Sequence, residues 1–332
     1  MNNSMNIGGG KTYYPCLDLL KFLSCIGIVM IHTKPFKGTC FEEGFINICP
    51  TFVSIFFICS SLLFWRKISW NNNDNKVLIN FCKRLMLLYA LWNVVLIPLW
   101  LPKLVHTSTI PWGNAIICKL FLCGGTNGSW FILSLVYGMI FCYVTNRFVG
   151  KPITTIILSL VFVYYSLVHW RACPDFLNLF WQNEYMPEPY LSPIRSVFWI
   201  QCALILPDRL RFLSMLSQRT FLSTSFLLCL AWIGLCSYDI LGEYTFILNA
   251  LIAISLCMMC MRQSDDKKYV LLPLLRNCSI IIYFVHFVFM RALASITGFG
   301  WQMFFIAFLG SFAIAYCILL MSKKNKILKY FY

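Results

Sequence analysis

The chain has 332 residues, 60% of them hydrophobic and only 12% charged, with a formal net charge of +15. Soluble domains carry about 25% charged residues, and no polar stretch here is long enough to build one, which excludes a soluble enzyme or an appended soluble module. The basic residues are scattered through short loops rather than gathered into one tract, so they read as membrane-topology signals and not as a nucleic-acid surface.

Apolar stretches of roughly 18 to 25 residues are long enough to cross a hydrocarbon core of about 30 Å as helix. They predict about ten transmembrane helices, over 13–33, 47–65, 80–101, 128–146, 152–170, 191–207, 220–238, 244–261, 270–291 and 299–321. The expected fold class is therefore all-α, a polytopic membrane helix bundle. It forms a single domain over 1–332, with a short N-terminal segment 1–12 and a basic tail 322–332. The first stretch is not a cleaved signal peptide. It lacks a small-residue cleavage site and carries Asp18, Lys21 and His32 within its apolar run.

Between the second and third spans lies a polar loop, Ser69 to Asn75. The segment Pro111 to Cys123 is too short to span and carries Asn114 and Lys119 on a polar face, as an interfacial or re-entrant helix would. The string Gly124-Gly125-Thr126-Asn127-Gly128-Ser129 resembles a phosphate loop but lacks the Gly-Lys-Ser/Thr ending and a preceding strand. It reads as a turn before the next helix, with Asn127 or Ser129 as N-cap. Most of the 17 cysteines lie inside apolar spans, where cysteine behaves as a small hydrophobe. Cys257 and Cys260 form a CxxC in an apolar helix without a neighbouring histidine, so no metal is expected.

With the N-terminus in the cytoplasm, the inner loops collect Arg66, Lys67, Lys76, Lys83, Arg84, Arg147 and Lys151, among others. The outer loops collect acids such as Glu42, Glu43, Glu184 and Glu243. This asymmetry follows the positive-inside rule and places both termini in the cytoplasm.

Ionisable side chains inside a membrane cost about 2.5–3.5 kcal/mol on insertion scales, which makes them functional candidates. Asp18, Lys21, Cys25, Ile28 and His32 recur at helical spacing, so one face of the first helix is polar. Lys21 and His32 are separated by about 16 Å along the axis. In the ninth span Ser279, Tyr283 and His286 share a face, with Arg276 one turn earlier. His32 and His286 come out at similar depth and could share one cavity. A hydrogen bond between helices is the plainer role for a membrane histidine, more so for His286 than for His32. Lys83 and Arg84 are equally suited to anchoring the helix end or to holding a phosphate.

These residues form a recognisable pattern. Leu17-Asp18-Leu19-Leu20-Lys21 followed by Ile31-His32-Thr33 resembles the opening of the acyltransferase-3 family of integral membrane acyltransferases. Lys83-Arg84 with Tyr89 and Trp92 resembles its basic third-helix motif, and Ser129-Trp130-Phe131 with Leu135 its Trp-Phe-x-x-x-Leu segment. Ser279 through Tyr283 to His286 resembles its late Ser-x-x-x-Tyr-x-x-His segment. The chain departs from the pattern at Lys21, where many members have arginine, and at Leu87 and Leu88, where the family often has a second arginine and a proline.

The resemblance implies O-acyl transfer, usually of acetyl from acetyl-CoA, to a hydroxyl of a cell-surface or lipid-linked glycan at the inner cell membrane. It implies His32, His286 and Tyr283 as catalytic residues, with the donor to the oxyanion left open among Tyr283, His286 and Trp130, and Lys21, Lys83 and Arg84 as the cations that meet the polyanionic donor. Asp18, Trp130 and Ser279 are expected to contact substrate. Expected partners are membrane lipids and the hydroxyl-bearing acceptor, with no nucleic acid. A sugar hydroxyl attacks a thioester poorly until a base takes its proton, and a neutral imidazole suits that task. The alternatives are a secondary transporter or flippase, for which intramembrane charges also serve, and a glycan-binding sensor.

Overall fold

The computed structural model describes residues 13–68, 70, 74–107, 112–121, 128–169, 194–213, 227, 231, 245–262, 269 and 271–332. Among these residues all regular structure is helical. In chain order the helices are α1 (Pro15–Thr33), α2 (Glu42–Ile48), α3 (Pro50–Trp65), α4 (Asp74–Val95), α5 (Ile97–Thr107) and α6 (Trp112–Phe121). They continue with α7 (Trp130–Phe148), α8 (Lys151–His169), α9 (Ile194–Leu213), α10 (Thr245–Arg262), α11 (Leu271–Thr297) and α12 (Trp301–Met321), and close in a 3-10 turn, Lys326–Phe331.

Among the described residues seven helical stretches are long and apolar enough to cross a membrane: α1, the Glu42–Trp65 stretch, α4, α7, α10, α11 and α12. Lys151–Leu167 and Ser196–Asp208 are apolar but shorter. The membrane helix bundle expected from the sequence is present, and the described residues hold seven such stretches of the expected ten or so. The expected span 220–238 lies almost wholly outside the described residues.

The third expected span, 80–101, is displaced. Its helix begins at Asp74, whose carboxylate in the first turn complements the positive end of the helix dipole. It ends at Val95, because Pro98 has no N–H to continue the ladder and its ring crowds the preceding turn. The segment expected to be interfacial or re-entrant forms α6, a helix of 10 residues, too short to span. The Tyr89 hydroxyl donates to the Leu120 carbonyl, and Tyr137 donates to the Phe121 carbonyl at 3.0 Å. The side chains of Asn114 and Lys119, and Asn127, lie outside the described residues. Ser129 stands at the N-cap position of α7 without making a cap bond; its hydroxyl donates to Asn93 Oδ1 at 3.3 Å instead.

Helix α3 is apolar on nearly all sides and buries Phe56, Phe57, Ile58 and Leu62, which marks it as the central helix of the bundle. It packs against α1, α7, α9 and α10. On the periphery, α8 exposes Ile153, Ile156, Ile157 and Leu160, the kind of apolar face that a lipid-contacting helix presents. Polar groups inside the bundle join helices: Asn146 of α7 and Gln201 of α9 exchange hydrogen bonds at 2.7 and 3.0 Å, and Gln201 also donates to Thr155 of α8 at 3.0 Å.

Helices α1 and α11 run parallel. Arg276 pairs with Asp18 near the starts of both (3.5 Å), and His286 stacks on His32 near the other end of α1. The amide of Gly300, which opens α12, donates to the Thr33 carbonyl at 2.9 Å and so ties α12 to the same end of α1. This parallel pair positions both parts of the candidate site.

Candidate active site

A cavity of about 280 Å³ opens between α1, α3, α4, α7 and α11. Four cations line it: Lys21 from α1, Lys67 just past α3, Arg84 from α4 and Arg276 from α11. Among the described residues no carboxylate lines it. Asp18 stands next to it, bound to Arg276 and accepting a 2.8 Å hydrogen bond from the Tyr13 hydroxyl. One carboxylate against four cations leaves a positive field, and low-dielectric walls focus such a field onto whatever anion enters.

The remaining walls are apolar and aromatic, among them Phe56, Leu88, Phe131, Tyr283 and Phe284. Lys21 is buried, with its ammonium 3.5 Å from the Ser60 hydroxyl and 5.4 Å above the Phe56 ring, a cation–π contact. Arg84 donates to the Tyr332 carbonyl at 3.4 Å. The closing 3-10 turn is held against α4 at the same place by Trp92, whose indole N–H donates to the Phe331 carbonyl at 3.3 Å.

The two histidines form the second part. Their rings stack with centroids 5.4 Å apart and planes 29° from parallel. Phe287 packs against both, at 4.8 Å from His32 and 4.0 Å from His286. His286 is buried, and its Nδ1 lies 2.9 Å from the Ile282 carbonyl. A carbonyl only accepts, so Nδ1 carries the proton and Nε2 of the neutral ring is a bare acceptor. That Nε2 is buried and has no hydrogen-bond partner among the described residues. An unmet buried acceptor costs about 1–3 kcal/mol. His32 is half-buried.

Tyr283 connects the two parts. Its ring lines the cavity and lies edge-on to His286, centroids 6.3 Å apart. It has room because residue 128 is glycine: a Cβ there would stand 2.7 Å from the Phe287 ring and 3.3 Å from Tyr283.

Most of the residues singled out in the sequence come together here. Lys21, Arg84 and Tyr283 line the cavity, and His32 and His286 form the pair. Lys83 does not line it; its side chain is exposed on another face of α4. Ser279 does not line it either, its hydroxyl donating within the helix to the Arg276 carbonyl at 2.7 Å. Asp18 serves Arg276, and Trp130 packs on Phe57 and Phe131 behind the wall. Lys67, Phe56 and Phe131 were not read from the sequence as part of a site; Arg276 was noted only as the residue one turn before Ser279. Their common signal, an inward position at the basic end of the bundle, exists only once the helices are packed.

The arrangement offers an anion-binding, apolar-walled pocket beside a pair of imidazoles, one of which presents an unprotonated nitrogen. Searches against curated proteins and against solved structures return no significant match. A profile of the acyltransferase-3 family, described as an acyltransferase domain, matches residues 14–320, nearly the whole chain. The protein thus belongs to the acyltransferase-3 family, and acyl transfer within a membrane helix bundle is the activity that membership supports.

Proposed function

We propose that the protein transfers acetyl from cytoplasmic acetyl-CoA to a hydroxyl of a cell-surface or lipid-linked glycan, with both chain termini in the cytoplasm of an inner-membrane protein. The observation that carries this reading is the cationic cavity that meets the histidine pair through Tyr283. The positive-inside pattern of the loops supports a cytoplasmic position for the basic end of the bundle, where acyl-CoA is found.

In this reading Lys21, Lys67, Arg84 and Arg276 hold the phosphates of the donor. Arg84 and Arg276 supply planar, multiply donating guanidiniums, whereas Lys21 and Lys67 act as point charges. The thin, weakly polar arm of the donor follows the aromatic walls towards Tyr283. The acceptor hydroxyl approaches His32 from the other side. His32 takes the hydroxyl proton as the oxygen attacks the thioester carbonyl. Hydrogen-bond donors then stabilise the negative oxygen of the tetrahedral intermediate, and Tyr283, on the cavity wall beside His286, is the proposed donor. The intermediate collapses to the ester, and the departing CoA thiolate takes the proton from the His32 imidazolium. His286, fixed in one tautomer by Ile282, supports His32 by stacking and by offering Nε2 as acceptor to its ring N–H or to the acceptor hydroxyl.

Purified protein in lipid vesicles, given acetyl-CoA labelled in the acetyl group and a mixed pool of glycan acceptors, should release free CoA and esterify the acceptor pool. Transport of the glycan with no CoA release and no ester would favour the transporter reading and overturn this one.

A further inference from the structure

Three rings form one wall of the cavity, and one of them, Tyr283, also meets the histidine pair. Phe56, Phe131 and Tyr283 stand 5.8 Å, 5.9 Å and 5.9 Å from one another, a closed triangle contributed by α3, α7 and α11. All three line the cavity, and neither His32 nor His286 does. Phe131 is braced from behind by Phe57, whose ring is 4.4 Å away, and by Trp130 at 6.5 Å. The wall is therefore open to the cavity on one face and braced at Phe131 from behind. Buried rings in such a cluster interdigitate at crystal-like density, so even one extra methylene is felt.

We infer that this three-ring wall is an acyl-length filter, with Phe131 as the residue that sets the limit. The inference rests on the donor reading given above. A donor held by its phosphates at Lys67, Arg84 and Arg276 points its acyl end at the triangle. An acetyl group ends in front of it, beside Tyr283 and hence next to His286. Each further methylene has to enter space that the Phe131 ring already fills. The site is then selective for short acyl groups by exclusion, while the cations at its mouth bind every acyl-CoA alike.

The test measures binding of acetyl-, butanoyl- and hexanoyl-CoA to the full-length protein in detergent, for the parent, Phe131→Leu and Phe131→Ala. Leucine keeps most of the packing, so it remains informative if the alanine variant fails to fold. The parent should bind acetyl-CoA at least as tightly as the longer donors. Opening the wall should reverse that order, because each methylene buried in an apolar space tightens binding about fourfold. Butanoyl-CoA should then bind about 16-fold tighter than acetyl-CoA in Phe131→Ala, with a smaller gain in Phe131→Leu.

A parent that already binds butanoyl-CoA tightest overturns the filter, as do variants that keep the parent's order. Either result leaves the donor site in place. Failure of the parent to bind any acyl-CoA overturns the donor reading, and the filter falls with it.

Discussion

His286 presents its bare Nε2 within a ring that stacks on His32 at 5.4 Å, so an imidazole with a fixed tautomer is in contact with one that is half-buried. This asymmetry is what the proposed division of work between the two rests on. His286 is locked by its own helix through Ile282, as an orienting group would be. His32 is the less buried of the two by surface area, which suits the proposed base.

Loss of a general base costs about 10²–10⁴-fold in rate. His32→Ala and His32→Gln should both lower acetyl transfer by that amount while leaving donor affinity unchanged, because an amide cannot accept the proton at neutral pH. His286→Ala should leave turnover that is measurable and reduced by roughly tenfold, the scale of one hydrogen bond. Rates and acyl-CoA affinities determined on the same preparations separate the two outcomes.

The cations can be told apart by position. Arg84→Ala and Arg276→Ala each remove a guanidinium from the cavity and should weaken acyl-CoA binding roughly tenfold or more, as expected for a charge-assisted hydrogen bond. Lys83→Ala removes an exposed side chain that does not line the cavity and should change affinity by less than about threefold. Titration calorimetry with acetyl-CoA decides between them; equal losses at 83 and 84 would contradict this placement of the donor.

Gly128→Ala sets a Cβ 2.7 Å from Phe287 and 3.3 Å from Tyr283. Overpacking of this kind costs about 1–3 kcal/mol. Because the two rings it pushes are the contacts of the histidine pair, acetyl transfer should fall by more than thermal stability alone predicts. Melting in detergent and turnover below the melting range, measured together, check this.

Much of the site was readable before the helices were assembled, and the failures have physical causes. Counting residues along α1 and α11 placed His32 and His286 at one depth, because both helices enter from the same side and rise uniformly. The same arithmetic could not rank the basic residues. Lys83 and Arg84 are neighbours in sequence, yet adjacent helix positions point about 100° apart, so only one of them faces the cavity. Lys67 and Arg276 look like ordinary loop and helix-end charges until α3, α4 and α11 bring them around one pocket. The break between α4 and α5 was announced by Pro98, but the hydropathy of 80–101 runs straight through it. Phe56 carries no sequence signal in a chain with 30 phenylalanines, and Phe131 stood out only as part of the Trp-Phe-x-x-x-Leu resemblance, with nothing to mark it as a cavity wall.

The network of Asn146, Gln201 and Thr155 is a stability device remote from the site. Gln201→Ala leaves Asn146 without its partner on α9 and should destabilise the protein by about 1 kcal/mol, within the range for hydrogen bonds between membrane helices. Acyl-CoA affinity should be unchanged. A lower melting temperature with normal binding is the expected result.

Topology has its own check. Cys40 is exposed in the loop after α1, on the side the loop charges place outside. A membrane-impermeant maleimide should label Cys40 in intact cells, whereas single cysteines introduced near 72, 210, 265 and 326 should react only after permeabilisation. A clear reversal at any of these would break the proposed orientation and, with it, the cytoplasmic position of the donor cavity.

The most direct measurement of the central claim is single-turnover acetyl transfer by the purified protein, with acetyl-CoA prebound and a glycan acceptor added, compared between the parent and His32→Gln. The account predicts rapid esterification with stoichiometric release of CoA in the parent. It predicts at least a hundredfold slower reaction, at equal occupancy by acetyl-CoA, in the variant. Near-parental transfer by His32→Gln would show that His32 packs or orients, and the assignment of the base would be wrong.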